Sequence, residues 1–456
     1  MSFSSGKRIN VIEMQIVGFS LALLTISVGV AIYIWLCFKY PPSIPLAAVA
    51  YSMISKSASV VYLEQVPTYI IEVSLISGNI GASLRHMAYN SLIFGVALFV
   101  IWRLVNRNSR AVLARKQMFG TRTMDEELWV AIVLSSSLLA IQLVNALLSP
   151  PYALPGLGIN RQQFWAGIRS PLVADLIGVL VVYVPSISGA ATAYAKVTGK
   201  RSFKRAAFWL TAAYCFYFLL TGARFNGSLL ALLFWLAPYW IVLWVFGQAP
   251  KIRRLGLVVT VAVSLFVFVG YLEIADRGIS QMTGSTWNGF LYRVFALQGD
   301  IYFAADLRAQ EGQTASLALL TQGMERTLIE YMPSKLAEIY AYKGVNLAGS
   351  LPGNSILVFG FWIGMLPMII YGIILGFIAG SYVYFIITGR FLFILPTSYM
   401  CLWTYSGYTH GSFSIFSEYK FLIVFALFVF WLIIPRNQDR RHHRQPRASV
   451  VGARHQ

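Results

Sequence analysis

Arg224, in the turn Thr221-Gly-Ala-Arg-Phe-Asn-Gly227, is the side chain of this sequence best suited to hold an anion. The residues on either side of it, from 206 to 246, are two apolar runs, each long enough for one membrane crossing of about 20 residues, so the turn falls at a membrane boundary. A guanidinium there binds a phosphate through two parallel N–H donors. The amides of Asn226, Gly227 and Ser228 open the next helix and aim its positive end at the same anion. An arginine at a helix end also snorkels to lipid headgroups without further purpose, so Arg224 needs company to define a site.

Company is available farther along the chain. Arg277 in Ala275-Asp-Arg-Gly278 and Arg293 in Leu291-Tyr-Arg-Val294 each lie near a point where the chain re-enters an apolar segment. Three guanidinium groups are what a pyrophosphate needs for charge stabilisation. For proton transfer the candidate is His410, in the Gly- and Ser-rich turn Ser406-Gly-Tyr-Thr-His-Gly-Ser-Phe413, where a neutral imidazole can accept a proton from a hydroxyl. Asp276 and Asp300 are the alternative bases. His86, beside Arg85 at the start of a helix, reads as an interface residue, and the other three histidines lie in the C-terminal tail. Asp175 and Glu418 are ionisable groups expected at shallow membrane depth, where they cap a helix, pair with a neighbour or serve function. No phosphate-binding Gly-x-x-x-x-Gly-Lys loop, no His-Glu-x-x-His and no Gly-x-Ser-x-Gly occurs. Cys37, Cys215 and Cys401 fall in apolar runs, which argues against a disulfide framework or a thiolate metal site. No metal or cofactor is expected.

The elements that must position these groups are membrane helices. Hydrophobic residues make up 57% of the 456 and charged residues 12%, about half the charged share of an ordinary soluble domain. The chain reads as an all-α polytopic integral membrane protein of about 10 to 12 transmembrane helices. Its first apolar run, about residues 11 to 38, is too long for a signal-peptide core and reads as a retained helix. The net charge of +19 would suggest nucleic acid in a soluble protein, but the basic residues sit in short loops between apolar spans, which marks the cytoplasmic face. These loops carry Arg103 to Arg122, Lys196 to Arg205 and Lys251 to Arg254, and the tail from Arg436 to Arg454 joins them. A nucleic-acid partner is therefore not expected.

With those loops as fixed points, spans fall near 87–105, 128–149, 171–195, 206–223, 226–247 and 255–273. The region before residue 87 stays open. Both 43–63, with Lys56, and 66–82, with Glu72, are candidates; parity allows one crossing if the N-terminus is outside, none or two if Lys7 and Arg8 hold it inside. Four regions follow: N-terminal helices over 1–273, a long non-cytoplasmic loop over 274–354, C-terminal helices over 355–435 and a basic tail over 436–456. From Glu273 to Asn354 lie eight of the chain's 17 acids, and periodic segments such as 314–332 predict short helices there. Gly360, Gly364 and Pro367 interrupt the run 355–388, predicting a short dipping segment and then a full helix; freed backbone groups at membrane depth survive only where protein or a wet cavity covers them. Further helices are expected near 391–408 and 414–435.

In this order of parts the chain resembles the Wzy-type oligosaccharide repeat-unit polymerases of bacterial surface polysaccharide assembly, whose architecture is related to the O-antigen ligases. The resemblance rests on Gly222-Ala-Arg224, a helix pair, a long outer loop opening at Asp276-Arg277 with Tyr292-Arg293, the Gly-interrupted segment from Pro352 to Gly364 and a final outer turn. It implies a glycosyltransferase of the bacterial inner membrane that joins undecaprenyl-pyrophosphate-linked repeat units on the periplasmic side. Arg224, with Arg277 and Arg293, would correspond to pyrophosphate-binding arginines, and His410 to the histidine that activates the acceptor in the related ligases. The family also implies a chain-length regulator as a partner. A lipid-linked oligosaccharide flippase and an O-antigen ligase are the competing readings.

Overall fold

The computed structural model describes residues 5–66, 69–70, 73–76, 78, 81–107, 120–153, 161–176, 180–222, 225–248, 295, 297–322, 324–342 and 349–433. Helix α1 (Ser5–Lys39) stops where Pro41, Pro42 and Pro45 withdraw backbone donors, and a 3-10 turn, Pro41–Leu46, reverses the chain into α2 (Ala47–Gln65). Gly29 lies against Ile54 and Gly18 against Val66, so α2 runs back along α1 for most of its length. Most of the lipid-length part of α1 lies open, with Ile16, Leu24, Ile32 and Trp35 exposed as a face for acyl chains. No second helix fills 66–82 among the described residues; Tyr69–Ile70 instead pairs antiparallel with Leu75–Ile76 in a small hairpin. One returning helix thus precedes α3, the odd count that the sequence allowed.

The remaining described helices are α3 (Ala82–Arg107), α4 (Arg122–Leu147), α5 (Arg161–Ala166), α6 (Pro171–Leu176), α7 (Leu180–Thr198), α8 (Arg201–Leu220), α9 (Phe225–Val245), α10 (Asp300–Gln310), α11 (Ala318–Thr321), α12 (Met324–Tyr331), α13 (Ser334–Tyr342), α14 (Leu351–Ile363), α15 (Met365–Ile387), α16 (Ile394–His410) and α17 (Tyr419–Ile433). Five described segments are long and apolar enough to cross a membrane: Ile16–Lys39, Pro41–Gln65, Ala82–Asn106, Arg122–Leu147 and Met365–Ile387. The protein is an all-α polytopic membrane protein. The span expected at 255–273 and the tail lie outside the described residues.

Small residues set the closest helix contacts, as expected where lipid offers no hydrophobic drive for association. Gly372 and Gly376 of α15 bring the backbones of α3 and α15 together, a Cβ on Gly376 falling 2.7 Å from the Ala97 oxygen. Between α7 and α9 the approach is tighter still: a Cβ on Gly189 would lie 2.0 Å from the Trp235 carbonyl. Gly189→Leu must push the two backbones apart. We expect it to cost at least about 3 kcal/mol, read as loss of detergent-extractable folded protein and a lowered melting temperature.

One end of the body gathers basic segments: Lys200 pairs with Asp125, Tyr194 donates to Asp125 Oδ1 at 2.6 Å, and Gly389 abuts Met124. The other end holds the described part of 274–354. Its helices are packed in, with Tyr302, Phe303, Leu319, Leu328 and Tyr331 buried. The predicted interruption falls at Gly360, whose φ of 73° and ψ of 178° break α14, and Gly364 then starts α15. Freed carbonyls find protein donors: Tyr89 hydroxyl to Phe361 O at 2.6 Å and Ser355 Oγ to Gly364 O at 2.8 Å.

Candidate functional site

Lys56 lies in the middle of α2 and only 1% of it is exposed. The neighbouring Ser52, Ser57 and Ser59 make this stretch of helix small and polar, which lets α3, α10 and α16 pack closely around a long side chain. Its ammonium donates to the Gly349 carbonyl just before α14 and lies 5.3 Å from the ring centroid of Tyr408. Asp300, in the first turn of α10, is likewise buried, 1% exposed. Ser59, three residues along the same face of α2, ties down the entry to α10: its Oγ accepts the Gly299 N–H at 2.8 Å and donates to Phe295 O at 2.9 Å.

Beside the lysine runs a buried hydrogen-bonded chain. Tyr408 donates to Asn90 Oδ1 at 2.7 Å; the Asn90 amide nitrogen and Ser57 Oγ lie 3.2 and 3.1 Å from His86 Nδ1. The same Asn90 amide nitrogen lies 3.4 Å from His86 Nε2. The His86 ring meets Tyr302 edge-on at 4.3 Å. The Tyr302 hydroxyl is buried with no hydrogen-bond partner among the described residues, and burial pushes its pKa well up, so it stays protonated.

His410 closes α16 and is partly exposed, with no side-chain hydrogen bond among the described residues. Its backbone is held from both sides. A Cβ on Gly349 would lie 2.4 Å from the His410 oxygen, and Asn354 Nδ2 donates to the next carbonyl, Gly411 O, at 2.8 Å. Tyr331 in turn donates to Asn354 Oδ1 at 3.1 Å. Close by, Arg85 grips Asp306 through two bonds of 2.7 Å, and Gln310 donates to the same carboxylate at 2.9 Å. Arg85→Met leaves a wholly buried carboxylate without its cation. We expect a loss of about 3 kcal/mol, measured as a fall in thermal stability in detergent, at the low end for a broken buried pair because Arg85 is partly open to solvent.

Of the sequence-derived candidates two are described: Asp300, buried at the start of α10, and His410, partly exposed at the end of α16, where Gly349, whose carbonyl accepts from Lys56, packs on the His410 backbone. Arg224, Asp276, Arg277 and Arg293 lie outside the described residues, as does the side chain of Asn226. The flank of the Arg224 turn is described: Gly222 packs on Ala153, and Ala153 N donates to Leu220 O at 3.2 Å. His86, expected at an interface, belongs to the buried centre. Lys56, Asn90 and Tyr408 were not singled out as site residues; the legible signal was a lysine inside an apolar run, which is costly enough at membrane depth to mark function. Among the described residues no group of three or more His, Cys, Asp or Glu side chains is arranged to hold a metal ion. What this end of the body offers is an imidazole with no hydrogen bond to the described residues, suited to accept a proton from a hydroxyl.

A family of unknown function (DUF6418) matches residues 318–425. That stretch runs from α11 into α17; it includes Asn354, Tyr408 and His410 and leaves out Lys56, His86 and Asp300. No curated protein and no solved structure matches the chain.

Proposed function

We propose that this protein is a membrane glycosyltransferase that polymerises undecaprenyl-pyrophosphate-linked repeat units into a surface polysaccharide, working on the periplasmic side of the bacterial inner membrane. The observation that supports it most is His410: a partly exposed imidazole free of hydrogen bonds to the described residues, at the end of the body away from the basic segments. An acceptor sugar hydroxyl gives its proton to His410 as its oxygen bonds the donor's anomeric carbon. The bond from that carbon to the pyrophosphate breaks, and the electron pair leaves with the phosphate. Such a leaving group is already good, so positioning and charge neutralisation are the main requirements. Arg224, Arg277 and Arg293 supply the neutralisation in this reading, and a chain-length regulator is the expected protein partner.

Deleting the gene and running the cell's surface polysaccharide on a gel tests the reading. Core bearing a single repeat is the expected result. Loss of all repeats with polymer still built on the lipid carrier identifies a ligase instead, and repeats trapped on the inner leaflet identify a flippase.

A further inference from the structure

His410 is the last residue of α16, and the residues that follow it are tied one after another to other elements. Gly411 ends the helix in the left-handed region, φ 77° and ψ 22°, and its carbonyl accepts from Asn354 Nδ2 at 2.8 Å. Ser412 Oγ donates to Leu320 O at 2.9 Å and Phe413 N to the same carbonyl at 2.8 Å, which binds the turn to α11. A Cβ on Gly411 would fall 2.7 Å from Asn354 Nδ2, so glycine serves twice here: it takes the positive φ and leaves room for the amide.

Asn354 stands near the start of α14, which Ser350 caps, and it is wholly buried. Both ends of its side chain are used. A carbonyl oxygen only accepts, so the amide nitrogen must face Gly411 O; the amide oxygen then faces the Tyr331 hydroxyl, which donates to it at 3.1 Å. The same nitrogen lies 3.4 Å from Thr327 Oγ1, one helical turn before Tyr331 on α12. Thr327 and Tyr331 are buried as well, and Arg308 of α10 holds the end of α12 by donating to Glu330 O at 2.8 Å. One amide thus joins α12, α14 and the end of α16.

We propose that Asn354 is the positioning residue for His410: it holds the turn that carries the imidazole against α11 and α12, so that the base meets the acceptor hydroxyl in one fixed geometry. This deepens the function proposed above and rests on its reading of His410 as the base. The imidazole makes no hydrogen bond among the described residues, so its aim comes from its backbone. That backbone is fixed by the Asn354 bond on one side and by the close contact with Gly349 on the other. A misplacement of a reacting group by about 1 Å costs roughly 10²-fold in rate, which makes a single buried amide at this turn consequential.

Two measurements on the full-length, detergent-purified protein test the proposal. Hydrogen exchange followed by mass spectrometry needs no substrate. In Asn354→Leu, similar in size and without polar atoms, the amides from Gly411 to Ser414 should exchange about tenfold faster, as the loss of one buried hydrogen bond allows, while Met365–Ile387 keeps its native rate. Tyr331→Phe removes only the hydroxyl that orients the amide. It should move the same amides in the same direction by a smaller factor, and it serves if Asn354→Leu does not fold. The second measurement is the joining of repeats supplied as a lipid extract of the deletion strain. Asn354→Leu should lower the maximal rate by about 10- to 10²-fold and leave the half-saturating amount of extract unchanged, because base placement is lost and substrate binding is not. Unchanged exchange at the turn in both variants overturns the proposal. So does a rise across Met365–Ile387 as large as that at the turn, which would make Asn354 a support of the whole fold, and so does a raised half-saturating amount with an unchanged maximal rate. If the native protein joins no repeats, or His410→Ala joins them at the native rate, the proposed function or its base fails, and the exchange result by itself decides whether Asn354 holds the turn.

Discussion

His410→Ala is expected to reduce chain growth by about 10²- to 10⁴-fold, the usual contribution of a positioned general base. The protein should still reach the membrane in normal amount. His410 uses its backbone, not its side chain, in the contacts that hold the turn: its carbonyl faces Gly349, and the neighbouring Gly411 carbonyl takes the Asn354 amide. Removing the imidazole therefore removes a reactive group and little packing. The measurement is the polysaccharide ladder from a deletion strain carrying the variant, alongside an immunoblot of the membrane fraction. A full ladder would remove the role of base from His410. Asp300 is a poor replacement, being buried and already accepting from Ile301 N. Asp276 would then become the leading candidate.

The second large effect belongs to Arg224. Alanine there is expected to lower chain growth by about 10²- to 10³-fold, the range seen when one donor to a developing anion is lost. Arg224→Lys is the sharper probe, because lysine keeps the charge and gives up the planar fork that grips two oxygens at once. If the pyrophosphate is bound through both nitrogens, the lysine variant should recover only a small part of the activity in the same ladder assay. Full recovery would reduce Arg224 to a point charge near the headgroups, and normal ladders from the alanine variant would remove its pyrophosphate role.

Much of the helix pattern was legible because lipid demands long apolar segments with satisfied backbones. The break near Gly360 and Gly364 could be predicted for the same reason: two glycines in a run too long for one straight span leave few other ways to use the residues. The region before residue 87 was not legible. Composition alone allows 66–82 to be a helix; the structure pairs Tyr69–Ile70 with Leu75–Ile76 there and lays α2 back along α1. At the site, His410 stood out as a histidine in a flexible-looking turn, while His86 and Lys56 carried no local motif. Their role comes from α3, α10 and α16 closing on one stretch of α2, contacts between residues hundreds of positions apart such as Lys56 with Gly349 and Asn90 with Tyr408.

The sequence by itself determined that this is a polytopic helical membrane protein, because hydropathy and chain length act locally and a bilayer leaves few other folds open. It placed Lys56 in an apolar run without singling it out. Only the tertiary structure showed where that lysine sits, buried with its ammonium on the Gly349 carbonyl. Which carbonyl a buried lysine meets depends on distances of a few ångströms between segments far apart in the chain. Those distances are set by close packing among all the helices together and are written in no single segment.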